Sequence, residues 1–202
     1  MAELAPAGDR HAVPRVVAVL SSVLERVSER NDDDDPSSAP KRSAFRGVSR
    51  PAISVRSYLE RIFRYANCSP SCYVVAFVYL DRFASRHPSV PIDSFSVHRL
   101  LITSILTAVK FMDDIYYNNT YFAKVGGISL MEMNYMEVDF LFGVGFELNV
   151  TPAAFASYCS ALQSETYLER PPASAARTLF SLSLSSSSSE EEEEKCSVPI
   201  DW

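Results

Sequence analysis

Few residues in this 202-residue chain have the types and spacing that covalent or metal chemistry needs. Cys68 and Cys72 could in principle share a metal ion, but the three histidines, His11, His87 and His98, do not pair with them at ligand spacing. Asp113, Asp114 and Glu132 could gather as metal carboxylates in a helical enzyme, yet the Glu-x-x-His pattern of such bundles is missing. KVGGIS, residues 124 to 129, has neither the spacing nor the lysine of a phosphate-cradling loop. What remains is charge in unexpected places: Lys110, Glu137, Arg56 and Asp81. These types can bind and brace, so no catalytic residue, metal or cofactor is expected.

Helical periodicity gives each of the four its meaning. A helix from about Ser94 to Met112 gathers Val97, Leu100, Leu101, Ile105, Ala108, Val109 and Met112 on one face and leaves Arg99, Thr103, Leu106 and Lys110 opposite. A second helix carries Glu137 inside an apolar stripe of Leu130, Met133, Phe140 and Leu141. An unpaired carboxylate in a core costs several kcal/mol, so either a cation meets Glu137 or the stripe awaits a partner. Apolar residues interleaved with a few charges are the usual anatomy of a protein interface. Asp81 stands in the otherwise apolar CYVVAFVYLDRF, and Arg56 on the preceding helix is expected to pair with it as a packing tie.

The elements that must position these residues are all helical. Val55, Tyr58, Leu59, Ile62, Phe63 and Ala66 recur at helical spacing, and Ser69 with Pro70 starts the next helix. A short helix near Tyr121 to Lys124 ends at Gly126 and Gly127, and Ser129 with Glu132 makes a capping box. Ahead of these, Pro14 opens an amphipathic helix with Val16, Val17, Leu20, Leu24 and Val27 near one face, which must dock on something. Thr151 and Pro152 start a further helix through Leu162, and Pro171 to Leu182 suits one more. The expected fold is all-α, a single five-helix module with flanking N-terminal and C-terminal helices. Its parts are an N-terminal helix region (1–30), a disordered linker (31–50), the module (53–155), a helical extension (156–182) and a disordered Ser/Glu-rich tail (183–202).

Charge narrows the partner. The chain carries 19 basic and 25 acidic residues, net −6, which argues against nucleic acid. Between Ile53 and Phe155 there are 8 basic and 9 acidic residues, so the module is close to neutral and the acidic runs, Asp32 to Asp35 and Glu190 to Glu194, lie outside it. No apolar run approaches the ~20 residues of a membrane span. Four scattered cysteines behind no secretory signal point to a reducing, intracellular setting, nucleus or cytoplasm.

Together these residues resemble the cyclin box, the helical fold of the regulatory subunits of cyclin-dependent protein kinases. VYLDRF (78 to 83), VHRLLITSILTAVKFMDD (97 to 114) and MNYMEVDFLFGVGFELNVTP (133 to 152) are similar to its second, third and fifth helices. VHRLLI, KFMDD, YYNN and KVGGIS look most like the small plant U-type or P-type cyclins, related to fungal phosphate-pathway cyclins. The resemblance implies a non-enzymatic subunit that binds and activates a Ser/Thr kinase in cell-cycle or nutrient-linked signalling. It implies kinase contacts at Lys110, Glu137, Phe111, Asp113, Leu141, Phe146 and Leu148, and an internal ion pair at Arg56 and Asp81. Many cyclins carry a Met-Arg-Ala-Ile-Leu docking patch followed by Trp; Val55-Arg56-Ser57-Tyr58-Leu59 and Ile62 stand there instead. The alternative is the same fold as a scaffold or transcription-linked interaction protein.

Overall fold

The computed structural model describes residues 13–34 and 43–167. The expected helix at Pro171 to Leu182 and the Ser/Glu-rich tail lie outside the described residues. Seven helices and no strand occur among the described residues: α1 (Arg15–Asp34), α2 (Val55–Ala66), α3 (Pro70–Arg86), α4 (Val97–Met112), α5 (Asn119–Gly126), α6 (Leu130–Gly143) and α7 (Pro152–Tyr167).

Local chemistry sets most of the boundaries. Ser54 Oγ accepts the Ser57 amide at the start of α2, and Pro70 occupies the first turn of α3, where its missing N–H costs nothing. Asn118 caps α5, and Gly127 closes it in the left-handed region at φ 72°, a backbone that favours glycine. The Ser129/Glu132 capping box opens α6 with both reciprocal bonds formed, and those bonds hold the Glu132 carboxyl down at about 2. Thr151 Oγ1 accepts the Ala154 amide at the start of α7. Two expected caps do not form: the Ser69 hydroxyl makes no cap bond to α3 and donates to Asp113 instead, and α4 starts differently. Ser94 was the expected cap, but Asp93 Oδ1 accepts the amides of Phe95 and Ser96, both at 2.9 Å, and the helix begins at Val97.

Two helices form the centre. Residues 72 to 81 of α3 and 100 to 109 of α4 are buried without interruption. The two helices pack on each other, with α1, α6 and α7 against α3 and with α2, α5 and α6 against α4. Leu106, expected on an outward face, is therefore completely buried, as is Thr103. The hydroxyls of Thr103, Ser104 and Thr107 bond back to carbonyls of their own helix, which lets polar groups sit in this interior.

The N-terminal helix docks as its pattern requires. Val16, Val17, Leu20, Val23 and Leu24 are buried against α2, α3 and α7. Glu25 accepts the Arg56 amide at 3.1 Å, tying α1 to the first turn of α2. The expected disordered linker needs correction at both ends. Asn31 to Asp34 continue α1, Asn31 donating to the Ile92 carbonyl and Asp32 accepting the Ser94 amide. From residue 43 the chain is held again, because Phe45 packs edge-on against the stacked rings of Phe83 and Phe140, ring centroids 5.1 and 6.2 Å away, and Arg46 pairs with Asp93 at 2.5 Å.

The Arg56–Asp81 pair does not form. Arg56 is exposed and pairs with Glu60 one turn along α2, at 3.0 Å. Asp81 is fully buried and accepts a short hydrogen bond from the Tyr158 hydroxyl of α7. A long flexible cation finds a partner more cheaply on its own helix in water than inside the core, whereas a phenol enters the core with little desolvation cost. Burial raises the Asp81 carboxyl to about 6, only partly offset by Tyr158 and the nearby Arg82.

Candidate partner-binding surface

Lys110, in the last turn of α4, and Glu137, in the middle of α6, meet at the α4–α6 packing seam. Lys110 Nζ donates to Glu137 Oε1 at 2.5 Å, and Asn119 Nδ2 donates to the other carboxylate oxygen at 2.6 Å. The side chains of Lys110 and Glu137 keep 30% and 16% of their exposure, so the pair is half sheltered and still reachable. Asn119 also reaches Asn134 at 2.8 Å, joining α5 to the same cluster. The carboxylate in the apolar stripe thus has its cation, and the lysine's ammonium is fixed with donors to spare.

Apolar residues flank this pair without covering. Phe111, Met112, Ile115, Tyr116 and Tyr117 are exposed where α4 ends and the chain turns toward α5. On α6, Met133, Met136, Phe140 and Gly143 face the core, while Met131, Tyr135, Val138 and Phe142 are exposed at i, i+4, i+7 and i+11. That second stripe occupies the outer side of the helix. Scattered exposed apolar residues are ordinary, but a full stripe on a helix that also carries one half of a fixed charge pair makes a candidate interaction face.

The loop after α6 extends the face. Phe146 is exposed, packs edge-on against Phe142 at 5.1 Å, and sits at φ 57°, a left-handed conformation that costs a residue with a Cβ about 1–3 kcal/mol. Arginines from α3 hold it there. Arg82 donates to the carbonyls of Glu147 and Asn149, while Arg86 bonds the Val144 carbonyl and pairs with Glu147 at 2.6 Å. Close approach under the loop requires Gly143, since a Cβ there would lie 2.4 Å from the Phe83 ring.

The residues singled out from sequence divide. Lys110, Glu137, Phe111 and Phe146 lie on this face, with half-buried Leu141 one turn beyond Glu137 and its carbonyl accepting the Phe146 amide. Asp113 turns away, its carboxylate accepting from the Ser69 hydroxyl and amide at the start of α3. Leu148 packs against the core, and its carbonyl accepts the Tyr79 hydroxyl at 2.6 Å. Leu106 cannot flank a surface, being buried. Asn119 and the Met131, Tyr135, Val138, Phe142 stripe were missed, although the stripe's helical spacing was readable. The stretch from Val55 to Leu59 offers no open apolar patch, since Val55, Tyr58, Leu59 and Ile62 are all buried. Among the described residues no cluster of three or more His, Cys, Asp or Glu could hold a metal ion, and no helix is long and apolar enough to cross a membrane.

Comparison with known proteins places these features. A family model described as Cyclin matches residues 13–148. Cyclin-P4-1 of Oryza sativa subsp. japonica is 71% identical over 168 residues, 80% of this chain and 79% of that protein. Cyclin-U4-1 of Arabidopsis thaliana is 62% identical over 159 residues, covering 78% and 79%, and Cyclin-U2-1 of the same plant is 45% identical over 159 residues, covering 78% and 72%.

Proposed function

This chain belongs to the cyclin family, of the plant U/P type, and from that membership we propose that it binds and activates a cyclin-dependent Ser/Thr kinase through the Lys110–Glu137 face. In this reading α2 to α6 are the five helices of one cyclin box, flanked by α1 and α7. The role it fills in this reading is regulatory, and the catalysis belongs to the kinase.

The observation that carries the proposal is a lysine ammonium fixed by Glu137 of α6, a helix that also carries an uncovered apolar stripe. A kinase is active when a mobile regulatory helix is held so that its glutamate pairs with the lysine that orients the ATP phosphates. A partner shifts that equilibrium only by binding the active position better than the inactive one. The outer stripe of α6 with Phe142 and Phe146 suits the apolar side of such a helix. Lys110, already restrained, donates to backbone carbonyls at the helix end. Because Glu137 and Asn119 have ordered the lysine beforehand, less side-chain entropy is lost on docking.

Co-purification with identification of the bound kinase, followed by a histone-kinase assay, tests this. A stable complex whose phosphorylation rate depends on the chain supports it. A chain that binds no cyclin-dependent kinase, or binds one without raising its activity, overturns it.

A further inference from the structure

A second feature lies away from that face, in an open cleft of about 600 Å³ between α2 and α5. Arg61, Arg64 and Lys124 line it, with the rings of Tyr65 and Tyr121 alongside and Glu60 as its one acidic residue. Glu60 is already engaged by Arg56, so the three cations face the cleft with no carboxylate partner among the described residues. The walls are built. Arg61 donates to the Lys124 carbonyl at 3.2 Å, and the Tyr121 hydroxyl donates to the Tyr65 carbonyl at 2.9 Å, with Tyr117 stacked on the Tyr121 ring at 4.0 Å. In a chain of net charge −6, three uncompensated cations on fixed supports form a local site for clustered anionic oxygens.

Size and charge select the ligand. From Ser57 to Tyr65 the α2 wall runs eight helical steps, about 12 Å, the reach of roughly three or four extended residues. Nucleic acid fits poorly, since three cations neutralise few phosphates and the rest of the chain repels the others. We propose that this cleft docks a short linear segment of another protein carrying a phosphorylated serine or threonine beside acidic residues. Arg64 and Lys124 meet the anionic oxygens, Arg61 fixes the register, and the exposed Tyr65 and half-buried Tyr121 rings pack on the flanking backbone. The site does not depend on the kinase reading, because it uses neither Lys110 nor Glu137.

Fluorescence anisotropy with the purified full chain tests it. The probes are a labelled peptide with one phosphoserine followed by glutamates, its unphosphorylated counterpart, and a neutral version with Ala and Gln at those positions. The phosphorylated peptide is expected to bind best and the neutral one not at all. Arg64→Glu with Lys124→Glu is expected to weaken binding at least about tenfold, with melting temperature and helical signal unchanged, while Arg64→Lys with Lys124→Arg retains it. Equal binding of the neutral peptide, no binding of either acidic peptide, or indifference to the double reversal overturns the proposal. Binding that appears only after Glu190 to Glu194 are replaced by Gln also overturns it, by making the chain's own acidic run the occupant.

Discussion

Asn119 Nδ2 donates to the carboxylate oxygen of Glu137 that Lys110 leaves free, at 2.6 Å. One carboxylate on α6 therefore holds the end of α4 and the start of α5 together, so Glu137 is a brace as well as part of the proposed binding face. Glu137→Ala is expected to lower the stability of the chain by about 1–2 kcal/mol in urea denaturation, since it removes two hydrogen bonds between helices and leaves the half-buried Lys110 ammonium without its carboxylate. The same change is expected to weaken kinase binding by roughly 30-fold or more, a loss far larger than the destabilisation explains. A variant that loses stability while binding kinase normally would make Glu137 a packing residue only.

Phe146 separates binding from folding in the opposite sense. Its φ of 57° is comfortable for glycine and strained for phenylalanine, and its ring is exposed. Phe146→Gly should leave chemical stability unchanged or raise it by up to about 1 kcal/mol, while kinase affinity falls. A marked loss of stability would show that the ring anchors the loop instead of meeting a partner.

Asp81 makes stability depend on pH. Its folded-state carboxyl titrates at about 6 against 3.8 in the unfolded chain, so the folded state holds the proton more tightly. The resulting stabilisation is present below pH 4 and is lost as pH rises through 6, about 3 kcal/mol at most for this one group. Asp81→Asn is expected to flatten that part of the curve, measured by urea denaturation between pH 4.5 and 7.5. Tyr158→Phe removes the donor to the buried carboxylate and should cost about 1.5–3 kcal/mol at pH 7.5. An unchanged pH profile in Asp81→Asn would mean that Asp81 is ordinarily solvated.

Phe45 is the test of the region between α1 and α2. Its burial against Phe83 and Phe140 predicts that Phe45→Ala costs about 3–5 kcal/mol by thermal or chemical denaturation. A cost below about 0.5 kcal/mol would return this segment to the status of a loose linker.

What the sequence made legible were features decided within a few residues. Pro70, Gly127 and the Ser129/Glu132 box fix helix ends within a turn of chain, and each stands where its type and spacing put it. Glu137 was legible for another reason: a carboxylate in an apolar stripe demands a cation wherever the chain folds. Choices made across the fold were not legible. A helical wheel assumes one core side, but α4 is enclosed by α2, α3, α5 and α6, so Leu106 is buried on the side that looked free. Asp81 takes Tyr158, 77 residues away, because α7 covers that part of α3, and nothing near Asp81 announces it. Phe45 is a lone aromatic in a polar stretch, and composition over a window dilutes the side chain that orders it.

The central claim is that the Lys110–Glu137 pair faces a kinase as well as holding two helices. Calorimetric titration of one purified cyclin-dependent kinase with the wild-type chain and with Lys110→Glu plus Glu137→Lys tests it most directly. Swapping the charges keeps the internal salt bridge but moves the ammonium from α4 to α6. Folding stability within about 1 kcal/mol of wild type together with kinase affinity reduced roughly 30-fold or more is the predicted result. A charge-swapped chain that binds the kinase as tightly as wild type would contradict the account, leaving the pair as a helix brace alone.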